Sequence, residues 1–201
     1  MKIILKQVSL KTTALTLCLT LNTVLQISNC FAQPSFTWAK SMGGTDNDRG
    51  YSIAVDGSGN VYTTGVFTGT ADFDPGAGNY PLTAAGVDGL SDIFISKLDA
   101  SGNFVWAKRI GDTDNDRGYS IAVDGSGNVY TTGFFRGTVD FDPGAGSYPL
   151  TAAGSQEFFI SKLDASGNFV WAISMSGISA GYSIAIDGSG YVYTTGLFWG
   201  T

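Results

Sequence analysis

Histidine is absent from the 201-residue chain, and with it go the Ser-His-Asp and Cys-His catalytic arrangements and every imidazole-bound metal site. Only two cysteines occur, Cys18 and Cys30, both within the first 30 residues, so the remainder can form neither disulfide nor thiol chemistry. Positive charge is scarce: 11 Lys and Arg face 17 Asp and Glu, a net charge of −6. That balance argues against nucleic acid, whose phosphates call for clustered cations. No apolar run approaches the ~18 residues of a membrane-spanning helix. No segment sustains a 3.6-residue apolar period, so helices are not expected. What is abundant is glycine, at 28 residues, and aromatic side chains, with 13 Phe, 9 Tyr and 4 Trp. A chain that is 43% hydrophobic can bury a core, which excludes a disordered tail. Its glycines do not recur every third residue, which excludes collagen.

Residues 1–32 differ from the rest of the chain. Lys2, Lys6 and Lys11 are their only charges, ahead of an apolar stretch from Ala14 to Leu21, and Cys30-Phe31-Ala32 places small residues at the −3 and −1 positions of a cleavage site. The segment reads as a secretory signal peptide, because Thr16, Thr20, Asn22 and Gln26 interrupt it too often for a membrane anchor. Its removal leaves 8 basic against 17 acidic residues, a net charge of −9, and takes both cysteines away. No membrane span is expected after that cleavage.

The remainder, residues 33–201, is a tandem repeat. Thr45–Gly86 and Thr113–Gly154 agree at 38 of 42 positions, and Gly181–Thr201 repeats Gly118–Thr138 at 17 of 21. Trp38, Trp106 and Trp171 keep the register at spacings of 68 and 65 residues, giving units of about 41–108, 109–173 and a partial 174–201. Each unit carries four strand patterns, labelled a to d. In the first these are Ser52–Asp56, Asn60–Thr64, Asp92–Asp99 and Asn103–Lys108, alternating or rich in β-branched and aromatic residues. Asp56-Gly57-Ser58-Gly59-Asn60 joins a to b, and Asp99-Ala100-Ser101-Gly102-Asn103 joins c to d. Asp folds back onto backbone N–H groups while Gly and Asn accept positive φ, so these are tight antiparallel hairpins. The stretch from Thr70 to Gly86 between b and c is expected to be a loop, too rich in Pro and Gly for a central strand.

A four-stranded module with two apolar faces must cover both, and radial repetition into a β-propeller of typically about 4–8 blades does so. The expected fold is therefore all-β, built of four-stranded antiparallel blades of the propeller type. The runs Asp92–Asp99, Gly102–Lys108, Gly118–Asp124 and Gly127–Gly133 resemble the SBBP family of bacterial β-propeller repeats, and the likeness extends over roughly Phe36–Thr201. The resemblance implies an exported or surface-associated bacterial protein, and it implies no defined catalytic activity. Counted against that fold, the chain holds a lone d strand (Phe36–Lys40), two full blades and an a–b pair, an incomplete ring of about two and a half blades. A fragment of a longer propeller is the expected explanation, with ring closure by self-association through open blade edges the other.

Candidate sites are few. Asp72 with Asp74, and Asp140 with Asp142, stand two residues apart ahead of Pro and Gly, a pattern open to calcium, which takes oxygen ligands, or to turns in which Asp caps backbone N–H groups. The Asp46-Asn47-Asp48 and Asp114-Asn115-Asp116 loops look similar, but the third copy has lost its acids. Trp38, Trp106 and Trp171 lie mid-strand and are expected to fill wedges between blades. Trp199, whose counterparts are Thr68 and Arg136, is the candidate for a repeat-variable ligand contact. The leading functional expectation is a non-enzymatic, secreted or cell-surface scaffold that binds an unidentified protein or glycan. The alternatives are a calcium-stabilised lectin or adhesin and a carboxylate-dependent hydrolase or lyase. Apart from that calcium, no cofactor is expected.

Overall fold

The structure is a computed structural model that describes residues 3–10, 34–86 and 89–198. Among them every regular element is a strand. β1 (Ile3–Leu10) and β2 (Pro34–Gly44) come first. The first full unit supplies β3 (Arg49–Val55), β4 (Val61–Phe67), the short β5 (Thr70–Asp72) and β6 (Pro81–Thr83), then β7 (Asp92–Leu98) and β8 (Phe104–Ile110). The second repeats this as β9 (Arg117–Val123), β10 (Val129–Phe135), β11 (Thr138–Asp140), β12 (Pro149–Thr151), β13 (Glu157–Leu163) and β14 (Phe169–Met175). β15 (Ile178–Ile186) and β16 (Val192–Phe198) end the described chain.

Two antiparallel four-stranded blades result, β3-β4-β7-β8 and β9-β10-β13-β14, each running a-b-c-d in chain order, with β15-β16 as an a–b pair. The expected all-β blades are present. One correction concerns the stretch from Thr70 to Gly86, which is not only loop. Thr70–Asp72 pairs with Pro81–Thr83 and, through Gly43 and Gly44, with β2, whereas Thr138–Asp140 pairs with Pro149–Thr151 as a two-stranded ribbon. Pro is accommodated because it opens the second strand of a ribbon, where no neighbour needs its missing N–H.

The lone d strand also has a partner. β1 pairs with β2 from Ile3↔Met42 to Val8↔Phe36, with a register shift at Gln7/Val8. β7 pairs with β8 from Ile93↔Ile110 to Leu98↔Phe104, with its shift at Lys97/Leu98. Residues 3–10 thus occupy the c register beside β2. They belong to the segment read as a signal peptide, most of which (1–2 and 11–32) lies outside the described residues; cleavage after Ala32 would remove β1 and open that edge of β2.

The core lies between blades, not within any one of them. Trp38 and Met42 of β2 pack with Val61, Phe67, Phe94 and Leu98 of the first blade. Tyr62, Ile93, Ile95, Trp106 and Ile110 of that blade pack with Ile121, Val129, Phe135, Phe159 and Leu163 of the second. Tyr130, Phe158 and Ile160 of the second then pack with Ile184 of β15. Each blade is a slab with two greasy faces, and area removed from water at both is what stabilises it. The a strands are stitched directly: the Ile121 N–H donates to Ser52 Oγ and the Ile184 N–H to Ser120 Oγ, both at 3.3 Å.

Trp38 and Trp106 do more than fill wedges. Trp38 Nε1 donates to the Ala100 carbonyl in the c–d turn of the first blade, and Trp106 Nε1 to the Ala165 carbonyl in the c–d turn of the second, each at 3.2 Å. The following glycines make room. Gly102 and Gly167 have φ near +80°, and a Cβ on either would stand 3.0–3.1 Å from the indole of Trp38 or Trp106. Every d-strand tryptophan with a blade beyond it is latched to the next c–d turn.

Candidate interaction surface

The hairpin turns fold as their chemistry dictates. Asp56 Oδ1 accepts from the N–H groups of Ser58 and Asn60 at 2.9 Å, and its Oδ2 accepts from Asn60 Nδ2 at 2.7 Å and the Tyr62 hydroxyl at 3.1 Å. Asp99, Asp124, Asp164 and Asp187 make the same pair of backbone contacts. Burial alone would raise the Asp56 and Asp124 carboxyls, but the hydrogen bonds converging on them outweigh it and hold both below the usual range. These are structural carboxylates.

The candidate calcium residues are engaged in the same way. Asp72 Oδ1 accepts from the N–H groups of Asp74 and Tyr80 at 3.0 and 2.8 Å, and Asp74 Oδ1 from that of Gly76 at 2.7 Å. Asp140 and Asp142 repeat this with Asp142, Tyr148 and Gly144. Each of these carboxylates thus caps backbone N–H groups of its own turn. Among the described residues no three carboxylates gather in a metal-binding group.

Of the residues offered as ligand contacts, Thr68 is buried and Arg136 half-buried, and both are engaged by neighbouring groups. Thr68 Oγ1 accepts from the Asn47 N–H at 3.0 Å and donates to the Asn47 carbonyl at 3.1 Å. Arg136 lies 5.8 Å from the Phe134 ring centroid and donates through Nη2 to Gln156 Oε1 at 3.3 Å. In the two described copies the position therefore pins neighbouring loops, because a long or hydroxylated side chain there finds backbone and ring partners. Trp199 lies outside the described residues.

Among the described residues Asp48, Asp92, Asp116 and Glu157 are buried carboxyls, an enclosure the sequence reading did not foresee. Asp92 Oδ2 accepts from Arg109 Nη1 at 2.6 Å and from the Ala85 N–H at 2.9 Å, and desolvation still pushes its carboxyl upward. Asp116 accepts from the N–H groups of Arg136 and Asp112 at 2.9 and 3.0 Å; desolvation, with the negative charges of Asp112 and Asp92 adding to it, raises it to about 7. Both side chains are fully buried: Asp116 is held by loop backbone, and Asp92 by Arg109 and the Ala85 N–H, with its Oδ1 left without a hydrogen-bond partner. Strand patterns carry no sign of this enclosure, since an Asp at a strand end looks like any solvated one.

What stands open is the a-strand face. Tyr51, Tyr119 and Tyr182, one from each a strand, form a row with ring centroids 5.5 and 5.6 Å apart, and Tyr51 and Tyr182 are exposed. Arg49, Tyr51, Asn47, Thr68, Asn115 and Arg117 surround a cavity of about 150 Å³ beside it. The identical Arg-Gly-Tyr-Ser-Ile-Ala-Val of β3 and β9 makes this row a direct product of the repeat. The sequence signal for it was the tyrosine recurring at one strand position, which reads equally as core until the a strands are seen to converge. Tyrosine gives an apolar face with a polar tip, and arginine a planar fork of donors, which suits hydroxyl-rich or acidic surfaces.

The chain matches the SBBP family, described as a β-propeller repeat, over residues 37–72 and 105–133. It is 27% identical over 210 residues to an uncharacterized WD repeat-containing protein of Acanthamoeba polyphaga mimivirus, a match covering 91% of this chain and 15% of that protein. The chain thus spans a small part of that relative's length. Among solved structures it is similar to a protein of unknown function from Bacteroides caccae, at 14% identity, with 78% of this chain and 56% of that one covered and a TM-score of 0.30.

Proposed function

From its SBBP-type propeller repeats, we propose that the chain is an exported, non-enzymatic scaffold, and that the tyrosine row on its a strands binds a protein or glycan partner. The observation that carries this reading is the Tyr51-Tyr119-Tyr182 row with Arg49 and Arg117 beside it, an aromatic and cationic surface on an otherwise acidic molecule. Packed blades hold such a row rigidly, so a partner meets it without ordering cost. The carboxylates that catalysis would need are committed to turns and loop backbone, which favours a binding role over a hydrolase or lyase.

An immobilised set of neutral and acidic glycans tests the site. The full chain is expected to be retained on a subset of them, with retention reduced at least about tenfold by Tyr119→Ala, which removes the central ring of the row. Retention unchanged in Tyr119→Ala and in Arg117→Ala would remove this surface as the binding site. Export is checked separately by the amino terminus of the protein recovered outside the cell, expected at Gln33.

A further inference from the structure

The cavity beside the tyrosine row is lined by donors. Arg49 and Arg117, which open β3 and β9 at the same repeat position, both line it. Neither forms an ion pair or a side-chain hydrogen bond among the described residues. Arg117 Nε is enclosed with no acceptor, its guanidinium carbon 5.8 Å from the Phe134 ring centroid. Asn115 adds a further donor. Its Oδ1 accepts from the Ser91 N–H at 3.2 Å and the Ser91 hydroxyl at 3.1 Å; a backbone N–H can only donate, so the amide nitrogen is the end left over. Thr68 Oγ1, also on the wall, is spent on the Asn47 backbone. Among the described residues no carboxylate lines the cavity. Arg136 extends the cationic ground, its guanidinium 5.8 Å from the same Phe134 ring, so three of the four arginines of an acidic chain gather here. Like charges brought together repel, and none of the three is paired with a carboxylate. A second cavity, of about 350 Å³, shows the contrast. Lys108 and Arg109 meet Asp140 and Asp142 there, and Arg109 is already paired with Asp92, so that cavity holds both signs.

We infer that the arginine-lined cavity takes the acidic group, a carboxylate or a sulfate ester, of an oligosaccharide whose rings lie along the Tyr51-Tyr119 row. The acid accepts from Arg49, Arg117 and the Asn115 amide nitrogen, while the apolar face of a sugar ring rests on tyrosine. Charge-assisted hydrogen bonds to a planar fork are the strong ones, and here they meet no competing carboxylate. Acidic peptides carry the same groups, but the even spacing of the row, 5.5 and 5.6 Å between centroids, suits a polymer of repeated rings better than an irregular backbone. The inference rests on the reading of the tyrosine row as a binding surface and names the chemistry of its ligand. The cavity joins the first unit to the start of the second, so it is complete within the described chain.

Calorimetric titration of the full chain with four probes tests it. These are tetragalacturonate, its methyl ester with the same rings and no charge, a carrageenan tetrasaccharide bearing sulfate esters and no carboxylate, and a tetraglutamate peptide. At least one acidic oligosaccharide is expected to bind at least about tenfold more tightly than the ester and the peptide, and the better of the two identifies the acid. Arg49→Gln and Arg117→Gln are each expected to weaken that probe about fivefold to tenfold without changing the ester. Arg49 is exposed, so its replacement leaves the fold undisturbed. Arg117→Lys, which keeps the charge and loses the fork, is expected to fall between. Lys108→Gln, which removes a cation from the other cavity, is expected to change nothing. Acid and ester bound equally, and both weakened by Tyr119→Ala, would overturn the acidic ligand while the row stands as the binding surface. Acid-selective binding that ignores both Arg→Gln variants would overturn the cavity as its site. Tetraglutamate bound as tightly as the sugars would assign the cavity to an acidic protein segment instead, and no binding of either acidic oligosaccharide would likewise overturn the inference.

Discussion

β10 and β16 carry nearly the same residues, Val-Tyr-Thr-Thr-Gly-Phe-Phe and Val-Tyr-Thr-Thr-Gly-Leu-Phe, yet live in different surroundings. All of β10 is buried, as is all of β4, because a paired strand lies on each edge and a blade on each face. In β16, by contrast, Tyr193 is 57% and Leu197 37% exposed, while Tyr62 and Tyr130, at the position of Tyr193, are 0% and 3% exposed. Burial here belongs to the place a strand occupies in the array and not to its sequence. Repeat proteins obey this rule generally: each unit's stability is largely its interfaces with neighbours.

Mutating the same repeat position in two surroundings breaks the comparison most forcefully. Tyr62→Ala is expected to cost about 3–5 kcal/mol in urea unfolding, and Tyr193→Ala about 1 kcal/mol or less. Both hydroxyls donate to the turn aspartate, at 3.1 and 3.0 Å, so the hydrogen bond cancels and burial remains. Equal losses would mean that the interfaces do not carry the stability.

Acid–base titration separates the copies next. Asp116, raised to about 7 by burial, favours the protonated form in the folded state. Its destabilising effect is therefore absent below the unfolded carboxyl value near 4 and complete above about 7, so stability falls as pH rises through that window, by on the order of 2–4 kcal/mol. Asp116→Asn is expected to flatten the slope. The turn aspartates act in the opposite sense: Asp56 and Asp124, held below their ordinary value, stabilise the fold above about pH 4 and lose that contribution as the pH falls further. Greatest stability is thus expected between about pH 4 and 6, measured by urea midpoint against pH.

The latch is isolated by two glycines in turns that share one backbone hydrogen-bond pattern. Gly190→Ala pays only for the left-handed backbone, about 1–2 kcal/mol, since a Cβ there meets nothing within 4 Å. Gly167→Ala adds contact with the Trp106 ring and is expected to cost about 1 kcal/mol more. Trp106→Phe should lose about 1 kcal/mol and Trp171→Phe almost nothing. At the bottom of the scale, millimolar calcium or EDTA is expected to leave the melting temperature in place, because the Asp72, Asp74, Asp140 and Asp142 oxygens already accept backbone N–H groups.

Strands and hairpin turns were legible because they are local, as Asp56, Gly59 and Asn60 specify their own turn; the buried face of β3 was not, since Ile53 and Val55 stand exposed while Ala54 packs on the core. The wedge role of Trp38 and Trp106 was legible too, but not the acceptor of Trp106, which lies 59 residues away in another blade. Asp116 was hidden for a similar reason, its enclosure coming from the Arg136 backbone and the neighbouring blade. Thr68 read as a variable surface position, whereas a loop from the same unit folds over it. The four differences between the first two units are partly coupled in space: where Val66 becomes Phe134 and Thr68 becomes Arg136, the new ring lies 5.8 Å from both the Arg136 and Arg117 guanidinium groups.

Amide hydrogen exchange on the full chain addresses the dependence of each blade on its neighbours most directly. Exchange at β4 and β10 is expected only through global unfolding, and at β16 at least about a hundredfold faster through local opening, despite its near-identical residues. Equal protection across the three strands would contradict the account.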